Sequence, residues 1–398
     1  MAIVLRIIPA LRGADKTFLA DRPALCGREL QMSLGDSEGV QYNGLRWGIA
    51  PRAFGEEVHK VEVTLYRSPA LFDELESEWN ALLKDSSADC IFLTHQWQSS
   101  WWDAYRPGEI WALAVREGAE LVGLAPWFVR PEGNGRRVVR AIGCVDVTDY
   151  LEVIARRGKE RAVFEALARD IATRGADYDD IRLCNAPEAS LTVQMLPDVF
   201  REQGFAVEVT FQDVCPVINL PDSFEAFLAG LDKKNRHELR RKLRRAASDE
   251  VDWYLVTEGC DLNAELEKFL KLMAASSDEK ALFLREPENE AFFRGVVPRI
   301  AEAGWLHLAF LTIDGEAAAA YLNFDYGNRI MVYNSGHNHS VHAHYSPGII
   351  LMARLIEHAI GQGRQELDFL RGDEPYKYDL GGKDTRVFQV AINPAPGA

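Results

Sequence analysis

Residues 346–382 read SPGIILMARLIEHAIGQGRQELDFLRGDEPYKYDLGG, and this stretch carries most of the information about the fold of the 398-residue chain. Ser346 can cap a helix, Pro347 fits a first helical turn, and Gly361 and Gly363 can end the helix. A short apolar strand and a polar turn come next. The stretch therefore predicts a helix, a strand and a loop, in that order.

The same order of elements occurs earlier in the chain. Residues 113–129 and residues 308–324 each show a strand, a tight turn with glycine and a second strand. Residues 164–188 then match residues 352–375 as a helix, a glycine stop, a strand and a polar turn. Repetition in the same order favours a duplication over two unrelated α/β units. The predicted fold class is α/β (mixed α+β), with two units that are each a mixed, mostly antiparallel sheet flanked by helices.

The domain organisation follows from these patterns. Residues 1–57 contain several glycines and no sustained period, so they are predicted to form a poorly ordered extension. Residues 58–220 form the first predicted unit and residues 251–398 the second. Residues 221–250 are predicted to be a basic connecting helix.

Composition excludes several classes of protein. The chain has 45 Lys+Arg against 60 Asp+Glu and a net charge of −15, which argues against broad binding to nucleic acid or membrane surfaces. Its six cysteines are scattered and predict neither a zinc ligand set nor a disulfide framework. No apolar run reaches the roughly 20 residues that span a bilayer. A cytoplasmic location is the simplest expectation.

The sharpest local charge lies in residues 232–245, DKKNRHELRRKLRR, where eight basic residues face two acidic ones. Arg236, Arg240 and Arg244 are four residues apart and share one helix face. Like charges at this spacing repel, and arginine binds phosphate bidentately. One interpretation is a solvated helix with salt bridges. The other is a clamp for a phosphorylated ligand, such as a coenzyme A nucleotide, a nucleotide-sugar precursor or a tRNA end.

Ser346, Pro347 and Gly348 form the second candidate feature. A helix start presents free N–H groups and a favourable dipole to phosphate, and glycine lets a ligand approach the backbone. Plain helix initiation is the alternative.

A third candidate is the turn after the last apolar strand. Asp368 lies on a strand that looks buried, and Arg371, Tyr376 and Lys377 follow it closely. Loops at strand ends are where α/β sheets build sites. Because a buried Asp368 needs a partner, Lys377 is the expected one. A surface turn closed by an ion pair is the alternative.

Four histidines lie in residues 337–348, HNHSVHAHYSPG. Their offsets fit no common zinc pattern, so we expect no metal and assign them to substrate contacts or solvent. The sequence shows no G-x-S-x-G nucleophile, no Walker loop and no Rossmann fingerprint. Hydrolase, kinase and dehydrogenase functions therefore lose their main support.

Residues 346–382 resemble the C-terminal hallmark of a tandem GNAT-type acyltransferase family. That family includes acetyltransferase-like proteins associated with cellulose biosynthesis and is related in fold to Fem-type peptidoglycan aminoacyltransferases. Residues 232–246 look like the basic segment that joins the two GNAT units there, and the resemblance covers about residues 60–393. It implies two GNAT folds and transfer of an acyl group from a thioester or ester donor to an amine or hydroxyl.

The resemblance also implies roles for particular residues. A plain GNAT domain grips pyrophosphate with a Gly-rich turn, and here Ser346-Pro347-Gly348 occupies the comparable junction. Acyl transfer needs a base, an aligned acceptor and donors to the oxyanion. Backbone N–H groups near residues 334–336 are candidates to polarise the carbonyl. The candidate catalytic residues are Asp368 as base or orienter, Tyr345 or Tyr376 as proton donor, and Lys377 for developing charge or a phosphate. The candidate donor-binding residues are Ser346, Pro347, Gly348, Arg236, Arg240 and Arg371.

Three functions are compatible with these features. The first is an N- or O-acyltransferase that uses acetyl-CoA or another acyl-CoA as co-substrate and acts on a sugar, peptide or polysaccharide precursor. The second is an aminoacyl-tRNA-dependent, Fem-like peptidyltransferase, because the chain lacks the usual pyrophosphate turn. The third is a non-catalytic accessory protein in exopolysaccharide assembly.

Overall fold

The computed structural model describes residues 61–133, 135–144, 147–247, 250–338 and 345–394. The predicted extension over residues 1–57 lies outside the described residues, and so do His339, His342 and His344. We refer to residues 61–220 as the first half and to residues 221–394 as the second half.

The helices and strands of the first half alternate along the chain. Its strands are β1 (Val61–Tyr66), β2 (Glu109–Ile110), β3 (Ala112–Glu117), β4 (Glu120–Ala125), β5 (Trp127–Pro131), β6 (Arg137–Ala141), β7 (Ile154–Ala155), β8 (Asp180–Pro187) and β9 (Ala206–Asn219). Its α-helices are α1 (Ala70–Lys84), α2 (His95–Tyr105), α3 (Glu160–Ala172), α4 (Leu191–Gln194) and α5 (Leu196–Glu202).

The second half contains longer hairpins and more helices. Its strands are β10 (Val251–Leu255), β11 (Leu306–Ile313), β12 (Glu316–Tyr326), β13 (Arg329–His337), β14 (Glu366–Asp368) and β15 (Lys383–Asn393). Its helices are α6 (Phe224–Gly230), α7 (Lys233–Ala246), α8 (Leu262–Ser276), α9 (Asp278–Arg285), α10 (Pro287–Glu302), α11 (Pro347–Gly361) and α12 (Pro375–Asp379).

These strands form two sheets. The smaller has the order β1-β3-β4-β7, and the larger has the order β10-β11-β12-β13-β14-β9-β15-β8-β6-β5-β2. In the described residues, neighbouring strands are antiparallel except for β6 with β8 and β13 with β14. The structure confirms the predicted mixed α+β class, with mostly antiparallel sheets and flanking helices, and each half contributes one parallel pair.

Helix α2 shows why the aromatic-rich segment is helical. The hydroxyl of Thr94 caps its first turn by accepting a hydrogen bond from the N–H of Trp97. Trp97 and Trp101, at helical spacing, are fully buried. The ring of Trp97 packs edge-on against Phe292 of α10 at 5.2 Å, so this stretch is core, as the sequence predicts, and joins the two halves.

Two elements differ from the sequence-based prediction. A single strand over residues 120–130 is wrong: Pro126, which has no N–H to give a ladder, divides it into β4 of the small sheet and β5 of the large one. The basic segment is also two helices rather than one. Its second helix, α7, starts after Asp232, whose carboxylate accepts the N–H of Asn235 at 2.9 Å.

The two halves exchange their last strands. Strand β9 of the first half pairs with β14 of the second, with Val217 opposite Asp368. Strand β15 of the second half lies between β9 and β8, with Val387 opposite Pro187. No local pattern in the sequence predicts this exchange, because it joins segments far apart along the chain.

The structure also corrects the expectation about disulfides. The sequence predicted no disulfide, but Cys144 and Cys184 are bonded to each other. Cys144 follows β6 and Cys184 lies in β8, and pairing of these parallel strands brings together residues that are 40 positions apart. Within the described ranges, no helix is both long and apolar enough to cross a membrane.

Candidate functional site

The parallel strands β13 and β14 separate after three residue pairs, the last being Met331 with Asp368. Strand β13 continues to His337, whereas the chain beyond β14 turns aside and Phe369 donates its N–H to the carbonyl of Pro216. Among the described strands, the far part of β13 pairs with β12 alone. We call this gap between β13 and the chain after β14 the opening.

A β-bulge lies at the edge of the opening. Leu322 is opposite Asn334 and Asn323 is opposite Val332, so Tyr333 is the extra residue. Bulges re-aim side chains and are frequent next to active sites. The hydroxyl of Tyr333 donates to the carbonyl of Val147 in the first half at 2.9 Å.

The N–H groups predicted to polarise a carbonyl lie just past the bulge. Of these, the N–H of Ser335 donates to the side-chain oxygen of Asn334 at 2.9 Å and is therefore already engaged.

Helix α11 starts at the opening. Ser346 precedes it in the left-handed region with a φ of 57°, a strained conformation for a residue with a side chain. Its hydroxyl does not cap the helix but accepts a hydrogen bond from Lys242 of the basic helix α7. A Cβ on Gly348 would lie 3.7 Å from the hydroxyl of Tyr321. The sequence analysis placed Ser346, Pro347 and Gly348 here but did not single out Lys242.

The predicted arginines make other contacts. Arg236 donates to the carbonyl of Ala229 at 3.0 Å, and Arg240 forms an ion pair with Glu225 at 2.7 Å, so both interact with α6. Arg371 pairs with a first-half acid, Asp149, at 2.7 Å.

Asp368 is at the contact between the halves and is 1% exposed. The hydroxyl of Tyr150 donates to its two oxygens at 2.9 and 3.1 Å, and the N–H of Leu370 donates to Oδ1 at 2.8 Å. Burial raises the pKa of this carboxyl to about 6, although these hydrogen bonds act in the opposite direction. The expectation that Lys377 is its partner is wrong, since Tyr150 takes that place.

Lys377 instead organises the turn after β14. Its buried ammonium donates to the carbonyls of Leu370, Arg371 and Gly372 at 3.1, 2.8 and 3.1 Å. It also lies 2.9 Å from a carboxylate oxygen of Glu374. Leu370 has a φ of 57°, which is unfavourable for a residue with a side chain, so the ammonium stabilises a strained turn, whereas Gly372 adopts its φ of 112° without strain.

The two predicted tyrosines lie on the α11 side of the large sheet. Tyr376 packs its ring edge-on against Phe369 at 5.7 Å, and burial, with Tyr321 and Glu374 nearby, raises the pKa of its hydroxyl well above the usual value. Tyr345 is partly buried and packs against the same hydrophobic cluster as Tyr376.

Sequence analysis missed Lys280. This residue of α9 is 5% exposed, and its ammonium donates to the backbone carbonyl of Ser335, just past the bulge. Burial lowers its pKa to about 7, and Glu374 opposes that change. No motif marks it, because a lysine in the first turns of an acidic helix segment looks like any surface lysine.

In the part of the chain that the structure describes, no group of three or more His, Cys, Asp or Glu side chains could hold a metal ion.

Comparisons with known proteins agree with this geometry. Residues 233–378 match a family model described as an acetyltransferase (GNAT) domain. No curated protein matches the chain. The matched residues run from the start of α7 into α12 and therefore include the opening, the start of α11 and the turn held by Lys377.

Several solved structures share the fold. FemX is 12% identical, with a TM-score of 0.58 over 79% of this chain and 95% of FemX. A conserved protein of unknown function from Bacteroides thetaiotaomicron is 13% identical, with a TM-score of 0.53 over 83% of this chain and 100% of that one. L-PGS from Bacillus licheniformis is 10% identical, with a TM-score of 0.50 over 81% of this chain and 92% of that one.

At these identities the structural likeness concerns the fold alone, whereas the family match concerns the sequence of the second half. Residues 233–378 therefore match the model of a GNAT domain, and most of the chain's length has a fold shared with FemX.

Proposed function

We propose that the second half transfers an acyl group from a phosphate-bearing donor to an amine or hydroxyl, with the reaction at the opening between β13 and β14. One observation carries the proposal. Strands β13 and β14 separate between two polar features. One is the start of α11, where Lys242 of α7 contacts Ser346, and the other is a buried polar group that contains Asp368, Lys377 and Lys280. The GNAT family match covers this same region.

The donor-binding end is proposed at the start of α11. Pro347 has no N–H and Ile349 donates its own to the carbonyl of Ser346, so the N–H of Gly348 is the one proposed to meet a phosphate, in a first turn where the helix dipole favours negative charge. Gly348 presents no side chain, and Lys242 reaches Ser346 from α7. An acyl-CoA, with acetyl-CoA as the first choice, has its phosphates at one end and its thioester at the other. We propose that the thioester end enters the opening.

The reacting end is proposed beside the turn after β14. The acceptor attacks the acyl carbon, the bond between that carbon and the donor sulfur breaks, and the thiolate leaves. Asp368 orients this region by holding Tyr150 and the N–H of Leu370. Lys377 fixes the turn, and Tyr376 is the candidate that protonates the leaving group.

The acceptor is proposed to bind where the halves meet. Tyr150, Asp149 and the carbonyl of Val147 come from the first half and contact Asp368, Arg371 and Tyr333 of the second. A sugar, peptide or polysaccharide precursor has the hydroxyl or amine that such a site needs.

A second candidate donor is an aminoacyl-tRNA. The observation that favours it is the outer face of α7, where Lys233, Lys234 and Arg244 are exposed. Such a face suits a polynucleotide backbone. The fold shared with FemX and the resemblance to Fem-type aminoacyltransferases point in the same direction.

Native mass spectrometry of the purified protein tests these donors. We expect one bound molecule from a panel of CoA thioesters, and acceptor-dependent release of free CoA in solution. Micromolar or tighter binding of charged tRNA, weakening steeply with salt, would favour the second candidate. Absence of binding and of thermal stabilisation by either donor class would contradict both and favour an accessory role.

A further inference from the structure

Lys280 is a buried lysine of the second half to which the proposed mechanism gives no role. It is the third residue of α9, and its backbone N–H is capped by the hydroxyl of Ser277. The two preceding residues, Asp278 and Glu279, are exposed, whereas the side chain of Lys280 is 5% exposed. The helix therefore directs this one lysine into the protein.

The position that it reaches is the edge of the opening. The ammonium donates to the carbonyl of Ser335 and lies 3.3 Å from the hydroxyl of the same residue. Ser335 is opposite Tyr321 in the ladder of β12 and β13, and Tyr321 faces Gly348 at the start of α11. Lys280 is thus next to the part of β13 that the chain beyond β14 leaves uncovered.

The surroundings give little compensation for a positive charge. Among the described residues, the groups that face this region are Glu374 and Lys377 from the turn after β14, the hydroxyl of Tyr321 from β12, the hydroxyl of Ser335 and the backbone N–H of His337 from β13, and the hydroxyl of Ser276 from α8. Glu374 is the acid among them, and it is already paired with Lys377 at 2.9 Å. Burial thus favours the neutral amine and holds the pKa of Lys280 near 7.

We propose that Lys280 is the proton acceptor for the attacking nucleophile, an inference that rests on the acyl transfer proposed above. As the acceptor nitrogen or oxygen bonds to the acyl carbon, its proton passes to the neutral amine of Lys280. The bond from the acyl carbon to the donor sulfur then breaks, Tyr376 protonates the leaving thiolate, and the proton held by Lys280 restores the hydroxyl of Tyr376. Protons balance over the cycle, and no metal or oxidant is needed.

A purely structural role would require other properties of the Lys280 side chain. A lysine that only supports Ser335 acts through its positive charge and its hydrogen bond to a carbonyl, and arginine supplies both. A proton acceptor must be neutral at working pH, and the guanidinium of arginine stays protonated. Lys280→Arg therefore separates the two roles, and Lys280→Met removes both.

The first measurement titrates Lys280 directly. In protein labelled with 13C at the lysine Cε, the signal that disappears in Lys280→Arg is assigned to this residue and followed against pH. We expect a midpoint near pH 7. A midpoint above pH 9 overturns the proposal, because the amine would then be charged at working pH.

The second measurement follows turnover with acetyl-CoA as donor and glucosamine as acceptor. We expect kcat to fall at least about 100-fold in both Lys280→Arg and Lys280→Met, with donor affinity unchanged, since general base catalysis contributes factors of this size. Lys271→Met, which changes an exposed lysine of α8, is the matched control and should match the wild type. Retained kcat in Lys280→Arg overturns the proposal.

The two inferences fail in different ways. If the wild type binds no acyl donor, the proposed function fails, and the titration still reports whether the amine is neutral. If the wild type binds the donor and turns over but Lys280→Arg does so equally well, the role of Lys280 fails alone.

Discussion

The two parallel strand pairs have the same length and different surroundings. In the first half, β6 and β8 pair over three positions that end at Arg140 with Arg182. In the second half, β13 and β14 pair over three positions that end at Met331 with Asp368. Beyond β6 and β8, buried residues of the first half occupy the position that corresponds to the opening. Beyond β13 and β14, helix α11 starts at the opening instead.

We call the place where each parallel pair separates a junction. At the first junction, between β6 and β8, hydrogen bonds and a disulfide hold the buried chain in place. Thr148, which is fully buried, accepts a hydrogen bond from the indole of Trp97 at 3.1 Å, and its carbonyl accepts one from the side chain of Asn185 at 2.6 Å. The Cys144–Cys184 bond ties the two strands together nearby. The two halves therefore contain corresponding junctions, of which one is built into the core and the other borders the polar residues of the proposed site.

The largest expected effect concerns the turn at the second junction. Lys377→Met should lower the free energy of unfolding by about 3–5 kcal/mol, because it leaves Glu374 as an uncompensated buried charge. Urea denaturation measures the change, and Lys383→Met, at an exposed position, is the control. The double variant Lys377→Met with Glu374→Gln should recover part of the loss. A stability equal to that of the wild type would show that the turn does not depend on this ammonium.

The next effect tests the first junction. Replacing both Cys144 and Cys184 by serine should reduce the free energy of unfolding by about 2–4 kcal/mol without reductant. Reductant should affect the wild type to a similar extent and leave the variant unchanged. Acyl-donor binding should persist, since the donor is proposed to bind at the second junction. Loss of binding in a folded variant would contradict the division of roles between the junctions.

The buried carboxyl between the halves should make stability depend on pH. The pKa of Asp368 is raised from 3.8 to about 6 in the folded protein, so the folded state binds the proton more tightly than the unfolded state. The free energy of unfolding should therefore fall as pH rises from about 4 to about 6, by up to about 3 kcal/mol.

Asp368→Asn is the variant that isolates this contribution. It should flatten that part of the pH profile while it reduces acceptor-dependent turnover. A wild-type profile that is already flat would show that Asp368 ionises without cost.

The smallest effect is on donor affinity. Lys242→Ala should weaken binding of an acyl-CoA about tenfold, corresponding to about 1.5 kcal/mol for a lost hydrogen bond to a charged group. Lys234→Ala changes an exposed lysine of the same helix and serves as the control. Isothermal titration calorimetry distinguishes them. Equal affinities would remove Lys242 from the proposed donor site.

Local elements could be predicted from the sequence because local patterns determine them. The hairpins around Gly118 and Gly315, the helix from Pro347 and the buried tryptophans of α2 follow from periodicity and from turn residues. The expectation of a functional site near Ser346 and Asp368 came from strand order, and it stays a prediction.

Contacts between distant segments could not be predicted in this way. Tyr150 and Asp368 are 218 positions apart, and nothing near either residue indicates the other. Lys280 becomes exceptional only when α9 packs against β13, and Cys144 meets Cys184 only when β6 pairs with β8. Which residues meet in these three cases depends on the order in which the strands and helices pack. Local sequence patterns do not determine that order, so they do not predict these contacts.

The exchange of β9 and β15 has a consequence for folding of the protein during its synthesis on the ribosome. The sheet of the first half is completed by residues 383–393, which are synthesised about 200 residues after β8. The edge of β8 therefore stays unpaired until β15 has been synthesised, and such edges promote association with other nascent chains. A stop codon between β14 and residue 383 would expose that edge permanently, so truncation there should yield insoluble product.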